Sequence, residues 1–307
     1  MQKTLKKSFS FSGVCLHSGN DTNVTVHPSP ADTGIKFKRI DLKSSSEKMI
    51  VDASVDNLIK SQLCTSIKNQ YGIKVSTIEH LMSALNGLGV DNALIDIDSD
   101  EVPILDGSSK VFVNLIDEVG IKNLKAHRKV LKILRPIIVG DTNSFIKAIP
   151  HDSFNVDYTI SYDHNLLNHQ RLKLDTFDEN IYRKLISNSR TFGFKKDVDT
   201  LLDKGLIKGG SLENAILLDE TGVINDEELR YPDEFVRHKI LDFIGDIFLM
   251  GKKIEGSFEI FCGGHSLTQE FLKTLFSDRS NWKLIEENHI DIGKVLNKSH
   301  TEVSAAF

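Results

Sequence analysis

The segment Tyr231–Met250, YPDEFVRHKILDFIGDIFLM, constrains this chain more than any other. Pro232 suits a first helical turn, Asp233 and Glu234 suit the positive end of a helix, and Gly251 with Lys252 and Lys253 suits its stop. At 100° per residue, Val236, Ile240, Leu241, Phe243, Ile244, Ile247 and Phe248 share one broad apolar face. His238, Asp242 and Asp246 form a ladder on the opposite side, each four residues from the next. Such a stripe is ordinarily the wet side of an amphipathic helix. Two details argue against that here. Phe235 and Leu249 lie close to the ladder's own direction, so protein is expected on this side too. The stripe also holds His and Asp instead of the long Lys and Glu of a solvated face. His and Asp at i, i+4 can reach one metal ion together.

A metal site on His238 and Asp242 needs a third ligand, and Ser76–Leu85 (STIEHLMSAL) offers His80 on a second helix. Taken alone, His80 reads more readily as a satisfied core or surface histidine than as a ligand. Ser76 and Glu79 stand at capping-box spacing, and Gly87 closes the run. That spacing explains a glutamate at 79 structurally, whereas a glutamate beside a ligand histidine can also act as a general base. The HExxH metalloprotease signature is absent. In Phe258–Ser266 (FEIFCGGHS) a strand ends in two glycines ahead of His265, which Asp246 can keep charged if the two meet. A helix is expected after Ser266, with Gln269 at the capping-box position. Ser189–Phe194 (SRTFGF) brings the Thr191 hydroxyl and two aromatic rings, and Lys208–Ser211 (KGGS) is a glycine turn outside the GxxxxGK[ST] phosphate-loop pattern.

Length and composition frame these motifs. With 307 residues two domains are expected, and 40% hydrophobic against 26% charged residues is ordinary for a globular protein. A net charge of -5 gives no pull toward nucleic acid, which is not expected as a partner. Cys15, Cys64 and Cys262 are too scattered for a disulfide framework and form no CxxC, which fits a reducing, cytoplasmic setting. Lys3, Lys6 and Lys7 are followed by SFSFSG and not by an apolar run, so no signal peptide is read. No stretch of about 18 apolar residues predicts a spanning helix. Strands are expected at Asn23–Val26, Gly34–Phe37, Asn92–Ile97, Val130–Val139, Phe145–Ile149, Val156–Tyr162 and Ser257–Cys262, with further helices near Lys110–Glu118 and Ile181–Ile186. The polar NLKAHR at 123–128 marks a boundary. The pattern predicts an α+β chain of two similarly built domains, 1–126 with the TIEH helix and 127–307 with the RHKILD helix and GGH loop. The last twenty residues carry no usable motif.

TIEH at 77–80, SRTFGF at 189–194, KGGSLENA at 208–215, EFVRHKILDFIGD at 234–246 and GGH at 263–265, in this order, resemble the UDP-3-O-acyl-N-acetylglucosamine deacetylase family of lipid A synthesis. VPILDGSS at 102–109 and GVCLHSG at 13–19 look like further family segments, so the likeness runs from about residue 10 to 275. The resemblance implies two domains, each a β-sheet with two helices, packed as a sandwich with helices between the sheets. It implies hydrolysis of the 2-acetamido group of a UDP-linked 3-O-acylated sugar, the committed step of lipid A synthesis. It further implies Zn²⁺, or Fe²⁺ in the cell, on His80, His238 and Asp242. Glu79 matches the general base, His265 the acid and charge stabiliser, Asp246 its orienting carboxylate and Thr191 an oxyanion hydroxyl; the proton for the leaving amine comes from either His265 or Glu79. Lys239, Phe192 and Phe194 match substrate-contacting positions. An apolar channel for the acyl chain is expected around Val198, Leu201, Ile207, Gly210 and Leu212. The segment 160–165 is assigned no nucleotide contact, and a monomer is expected. The rival readings are a zinc amidohydrolase acting on another acylated sugar or peptide and a binding module with a structural metal. A kinase is disfavoured by the missing phosphate loop.

Overall fold

The computed structural model describes residues 1–287; residues 288–307, and with them the end of the second expected domain, lie outside the described residues. Alternation sets the first sheet. In Asp21–Pro28 the side chains of Thr22, Val24 and Val26 turn inward while Asp21 and Asn23 face water. Five strands join in the order Phe9–Val14, Asp21–Pro28, Ala93–Ile97, Ile35–Arg39, Ile50–Asp52. Only Ile35–Arg39 and Ala93–Ile97 run parallel within it. A small antiparallel sheet, Leu58–Ile59, Ser66–Lys68 and Lys74–Ser76, leads into the first helix. The second large sheet has seven strands around Lys253–Phe261, which pairs parallel with Lys129–Ile133 and Phe154–Ile160 and antiparallel with Phe145–Ile149.

Helices α1 (Glu79–Gly87) and α2 (Lys110–Val119) come from the first half of the chain. The second half gives α3 (Glu179–Ile181, continued by a π turn at Tyr182–Ile186), α4 (Lys195–Asp203), α5 (Glu234–Ile247) and α6 (His265–Ser277). α2 packs on the strand Phe9–Val14, α6 on Ile137–Gly140 and Phe145–Ile149, and α1 packs on α5 between the two large sheets. This is the α+β sandwich with internal helices that the sequence led us to expect. Buried apolar side chains from Leu5 to Leu275 make one continuous core through that helix layer.

Because α5 lies inside, twelve of its fourteen residues are buried, all but Arg237 and Lys239. The amphipathic reading with a wet polar side therefore fails: His238, Asp242 and Asp246 are 1%, 5% and 2% exposed. Phe235, Ile240, Leu241 and Ile244 anchor the helix at about 1.5–3 kcal/mol each relative to exposure. α1 is buried at all nine positions, and the two helices approach closely because Gly245 has no Cβ to hold them apart.

Two local expectations are corrected. Neither capping box forms. Ser76 ends a strand, Thr77 takes a left-handed turn at φ 55, and α1 opens at Glu79. α6 opens at His265 behind an extended Gly264 with no side-chain cap, and Gln269 is buried. The set of strands expected over 130–139 is a pair, Lys129–Ile133 and Ile137–Gly140, separated at Leu134–Pro136, where the proline has no N–H to donate to a ladder.

Candidate metal centre

α5 contributes His238 and Asp242, and α1 contributes His80. The Nε2 atoms of His80 and His238 lie 3.5 and 3.3 Å from Oδ1 of Asp242. One ligand atom from each of the three lies within 4.8 Å of the others. Tetrahedral bonds of about 2.0–2.1 Å put donors about 3.3 Å apart, so the spacing suits one small divalent cation. The tautomer suits it as well. His238 Nδ1 sits 3.1 Å from the Ser189 carbonyl, which can only accept, so Nδ1 carries the proton and the Nε2 lone pair faces the cluster. Lys239 donates to the other Asp242 oxygen at 3.0 Å, while the buried Oδ1 has no hydrogen-bond donor. Burial pushes the His238 imidazole down to about 3, which keeps it neutral. Burial alone raises Asp242, but its electrostatic contacts with the His238 imidazole and the Lys239 ammonium outweigh it and hold the carboxyl well below its usual range. Neutral imidazole and anionic carboxylate are the protonation states that bind metal.

Beside the cluster stand a carboxylate and an imidazole. Glu79 Oε1 is 3.7 Å from His265 Nε2, and Glu79 Oε2 accepts the Thr65 backbone N–H at 3.0 Å. His265 Nδ1 donates to Asp246 Oδ2 at 2.8 Å, and Asp246 Oδ1 accepts the Thr65 hydroxyl at 2.6 Å. Burial lifts Glu79 to about 7, against the opposing charge of His265. Burial alone lowers His265, but Asp246, with Glu79 and Asp242 behind it, prevails and raises it to about 10.

These groups open onto a cavity of about 900 Å³. Its lining includes Glu79, His80, Thr191, Phe192, Phe194, Lys239 and His265, and an apolar wing of Val198, Leu201, Ile207, Gly210 and Leu212. Every site residue singled out from the sequence faces this one space except Asp246, which stands behind His265. The hairpin 13–19 and the KGGS turn meet at its wall through Lys208 N–H to His17 O and Gly209 N–H to Leu16 O. Leu63, Thr77, Ile207 and Cys262, all non-glycine residues at positive φ, also line it. Strained backbone of this sort collects at functional sites.

A buried ion pair supports the metal side. Glu234, fully buried, accepts from Arg190 Nε at 2.9 Å and from the backbone N–H groups of Arg190 and Arg230. Arg190 follows Ser189, whose carbonyl orients His238. The sequence suggested only a helix-dipole role for Glu234. Thr65, Tyr162 and the buried Glu101 were not singled out at all. Tyr162 packs edge-on against Phe192 and Phe194, and Glu101 accepts from the backbone of His17 and Ser18 and from the Thr77 hydroxyl. All three sit in segments without a local motif, so no single-sequence signal could have found them.

The model of the UDP-3-O-acyl N-acetylglycosamine deacetylase family matches residues 2–277. Curated proteins named UDP-3-O-acyl-N-acetylglucosamine deacetylase are similar along nearly the whole length. That of Lawsonia intracellularis is 45% identical over 274 residues, 89% of this chain and 88% of its own. Those of Colwellia psychrerythraea and Idiomarina loihiensis are 43% and 41% identical over 286 residues, 92% of each chain. With the ordered motifs gathered around one cavity and a family match from residue 2 to 277, this chain belongs to the UDP-3-O-acyl-N-acetylglucosamine deacetylase family.

Proposed function

We propose that this enzyme removes acetate from the 2-acetamido group of a UDP-linked 3-O-acyl-N-acetylglucosamine at a Zn²⁺ site formed by His80, His238 and Asp242. Family membership makes it a deacetylase of lipid A biosynthesis. The observation that carries the residue assignment is the meeting of three ligand atoms within 4.8 Å beside a Glu79–His265 pair. When bound, the divalent metal supplies Lewis acidity that polarises the amide carbonyl and acidifies water. Histidine and carboxylate donors accept Fe²⁺ as well as Zn²⁺, with Fe²⁺ the alternative in the cell.

The chain's own residues do the rest. Glu79, raised to about 7 by burial, is partly anionic near neutrality and takes the proton of the attacking water. The Thr191 hydroxyl donates to the oxygen on which negative charge develops as the carbonyl carbon becomes tetrahedral. His265, kept cationic by Asp246, donates the proton that lets the C–N bond break with a neutral amine leaving. Water is thereby split between acetate and the free amino sugar. Lys239, 5.5 Å from the centroid of the Phe192 ring, and Phe194 line the sugar side. Val198, Leu201, Ile207, Gly210 and Leu212 take the acyl chain.

We further assign residues 1–126 and 127–307 to two domains that share the site, and the enzyme to the cytoplasm as a monomer. No helix among the described residues is long and apolar enough to cross a membrane. Acetate release from the acylated UDP sugar, measured with metal content, tests the reading. His80→Ala is expected to lose metal, and Glu79→Ala to keep metal and lose most turnover. Full turnover in Glu79→Ala overturns the base assignment, and full metal occupancy in His80→Ala overturns the site.

A further inference from the structure

Thr65 does not line the cavity, yet it touches both members of the acid–base pair. It is 1% exposed and lies just ahead of the strand Ser66–Lys68, in the half of the chain opposite to α5. Its backbone N–H donates to Glu79 Oε2 at 3.0 Å. Its hydroxyl donates to Asp246 Oδ1 at 2.6 Å, and the hydroxyl oxygen of Thr65 itself lies 3.2 Å from His265 Nδ1. The other Asp246 oxygen accepts from His265 Nδ1 at 2.8 Å.

We propose that Thr65 is a positioning residue for deacetylation: its hydroxyl fixes the Asp246 carboxylate, and through it the His265 ring, in register with Glu79. The inference rests on the roles proposed above for Glu79 and His265. A carboxylate has two oxygens and is free to turn about its bond to Cβ. With Oδ1 occupied by Thr65, only Oδ2 remains for His265, so the ring has one place to dock. Without the hydroxyl, Oδ1 is left buried with no donor, and a carboxylate in that state turns to share its remaining partner. The ring of His265 then tilts, and Nε2 leaves its place 3.7 Å from Glu79 Oε1. Because the Glu79 contact uses the Thr65 backbone N–H, a side-chain change perturbs the Asp246 arm and leaves the Glu79 arm standing.

The test is Thr65→Val, which keeps the shape and removes the hydroxyl, beside Thr65→Ser, which keeps the hydroxyl. Thr65→Val is expected to lower kcat by about 10–100-fold with KM within about twofold, and Thr65→Ser to stay within about threefold of the parent. A role limited to folding moves both variants alike, together with Tm and metal content, and that result overturns the proposal. A double-mutant cycle separates the cases further: Thr65→Val in an Asp246→Asn background is expected to add no further loss, and additive losses overturn the inference. If Thr65→Val folds poorly, the cycle is run with Thr65→Ala, which keeps the backbone contact. His265→Ala is the control that keeps the two readings apart. If it turns over normally, the acid assignment itself fails. If it is inactive while Thr65→Val is unimpaired, only the inference about Thr65 fails.

Discussion

Gly245→Ala places a methyl group where α1 and α5 cross. By helix propensity alone this change stabilises a helix interior by about 1 kcal/mol. The structure gives the opposite sign. A Cβ at Gly245 lies 2.9 Å from the carbonyl carbon of Glu79, closer still to its oxygen, and 3.1 Å from the amide nitrogen of Ser83. These are backbone atoms of α1, and no rotamer change clears them. Ordinary contact begins at 3.4 Å, so the helices must separate or slide by about 1 Å, and overpacking of this kind costs about 1–3 kcal/mol. The loss of function is the larger effect. His80 rides on α1 while His238 and Asp242 ride on α5, and metal–ligand distances tolerate only about 0.2 Å. A shift near 1 Å takes His80 out of reach and leaves two ligands.

The assay is metal per chain after dialysis against a competing chelator, together with thermal unfolding and acetate release. Tm is expected to fall by about 2–6 °C. Metal occupancy is expected to fall below half, and turnover by about 100-fold or more. A Gly245→Ala enzyme that melts above the parent and keeps its metal and its rate refutes the reasoning, because the crossing would then not set the geometry of the site.

Other consequences concern pH, the acyl wing and the buried ion pair. Glu79 must be anionic to accept a proton, so turnover rises as pH passes about 7; His265 must be cationic to donate one, so turnover falls past about 10. Asp246→Asn removes the anion that lifts His265, and the upper limb of the pH profile is expected to move toward neutrality; a limb left in its original place counts against the pairing. Leu201→Asp sets a charge on the apolar wing, and KM for a long-chain substrate is expected to rise about tenfold or more, since each buried CH₂ is worth about 0.8 kcal/mol. Equal KM shifts for long and short acyl chains would show that the chain binds elsewhere. Glu234→Ala leaves the Arg190 guanidinium, 3% exposed, without its buried partner and is expected to cost about 3–5 kcal/mol in a melting experiment. It is also expected to weaken metal binding, because Ser189 next to Arg190 orients His238; an unchanged Tm argues against the pair as a support.

How much of this was legible depended on whether the deciding contact is local. The extent of α5 and its apolar face could be read because both follow from a 3.6-residue period within one segment. Burial of its polar stripe could not, since α1, some 150 residues earlier, is what covers it. Half of the proposed metal site was likewise local, His238 and Asp242 one turn apart, whereas His80 was one candidate among several readings until the family likeness singled it out. Thr65 has no local signature; its hydroxyl matters because the fold brings it to Asp246, 181 residues away. The capping boxes misled because Ser-x-x-Glu spacing at 76–79 arises from a strand end and a left-handed Thr77. The break at Pro136, by contrast, was available in the sequence from the ring that removes a ladder donor. α4 has no buried residue, because its apolar side chains Val198 and Leu201 line the cavity and are not packed into the core.

The polar stripe on α5 is itself informative once its burial is known. Solubility does not explain His238, Asp242 and Asp246, because none of them reaches bulk water. Stability does not explain them either: replacing buried ionic groups with apolar side chains of similar volume is often neutral or stabilising by about 1–4 kcal/mol. The same holds for Glu79, which opens the fully buried α1 and is raised to about 7 by that burial. Four ionisable groups on two packed helices are therefore costly to the fold, which accords with the roles proposed for them in the reaction. Their placement also explains why a glycine, poor as a helix former, stands at 245. Only a residue without Cβ lets the backbone of Glu79 approach α5 closely enough for His80 to join His238 and Asp242. The helix gives up about 1 kcal/mol of propensity at that position, and His80 is brought to the proposed metal site.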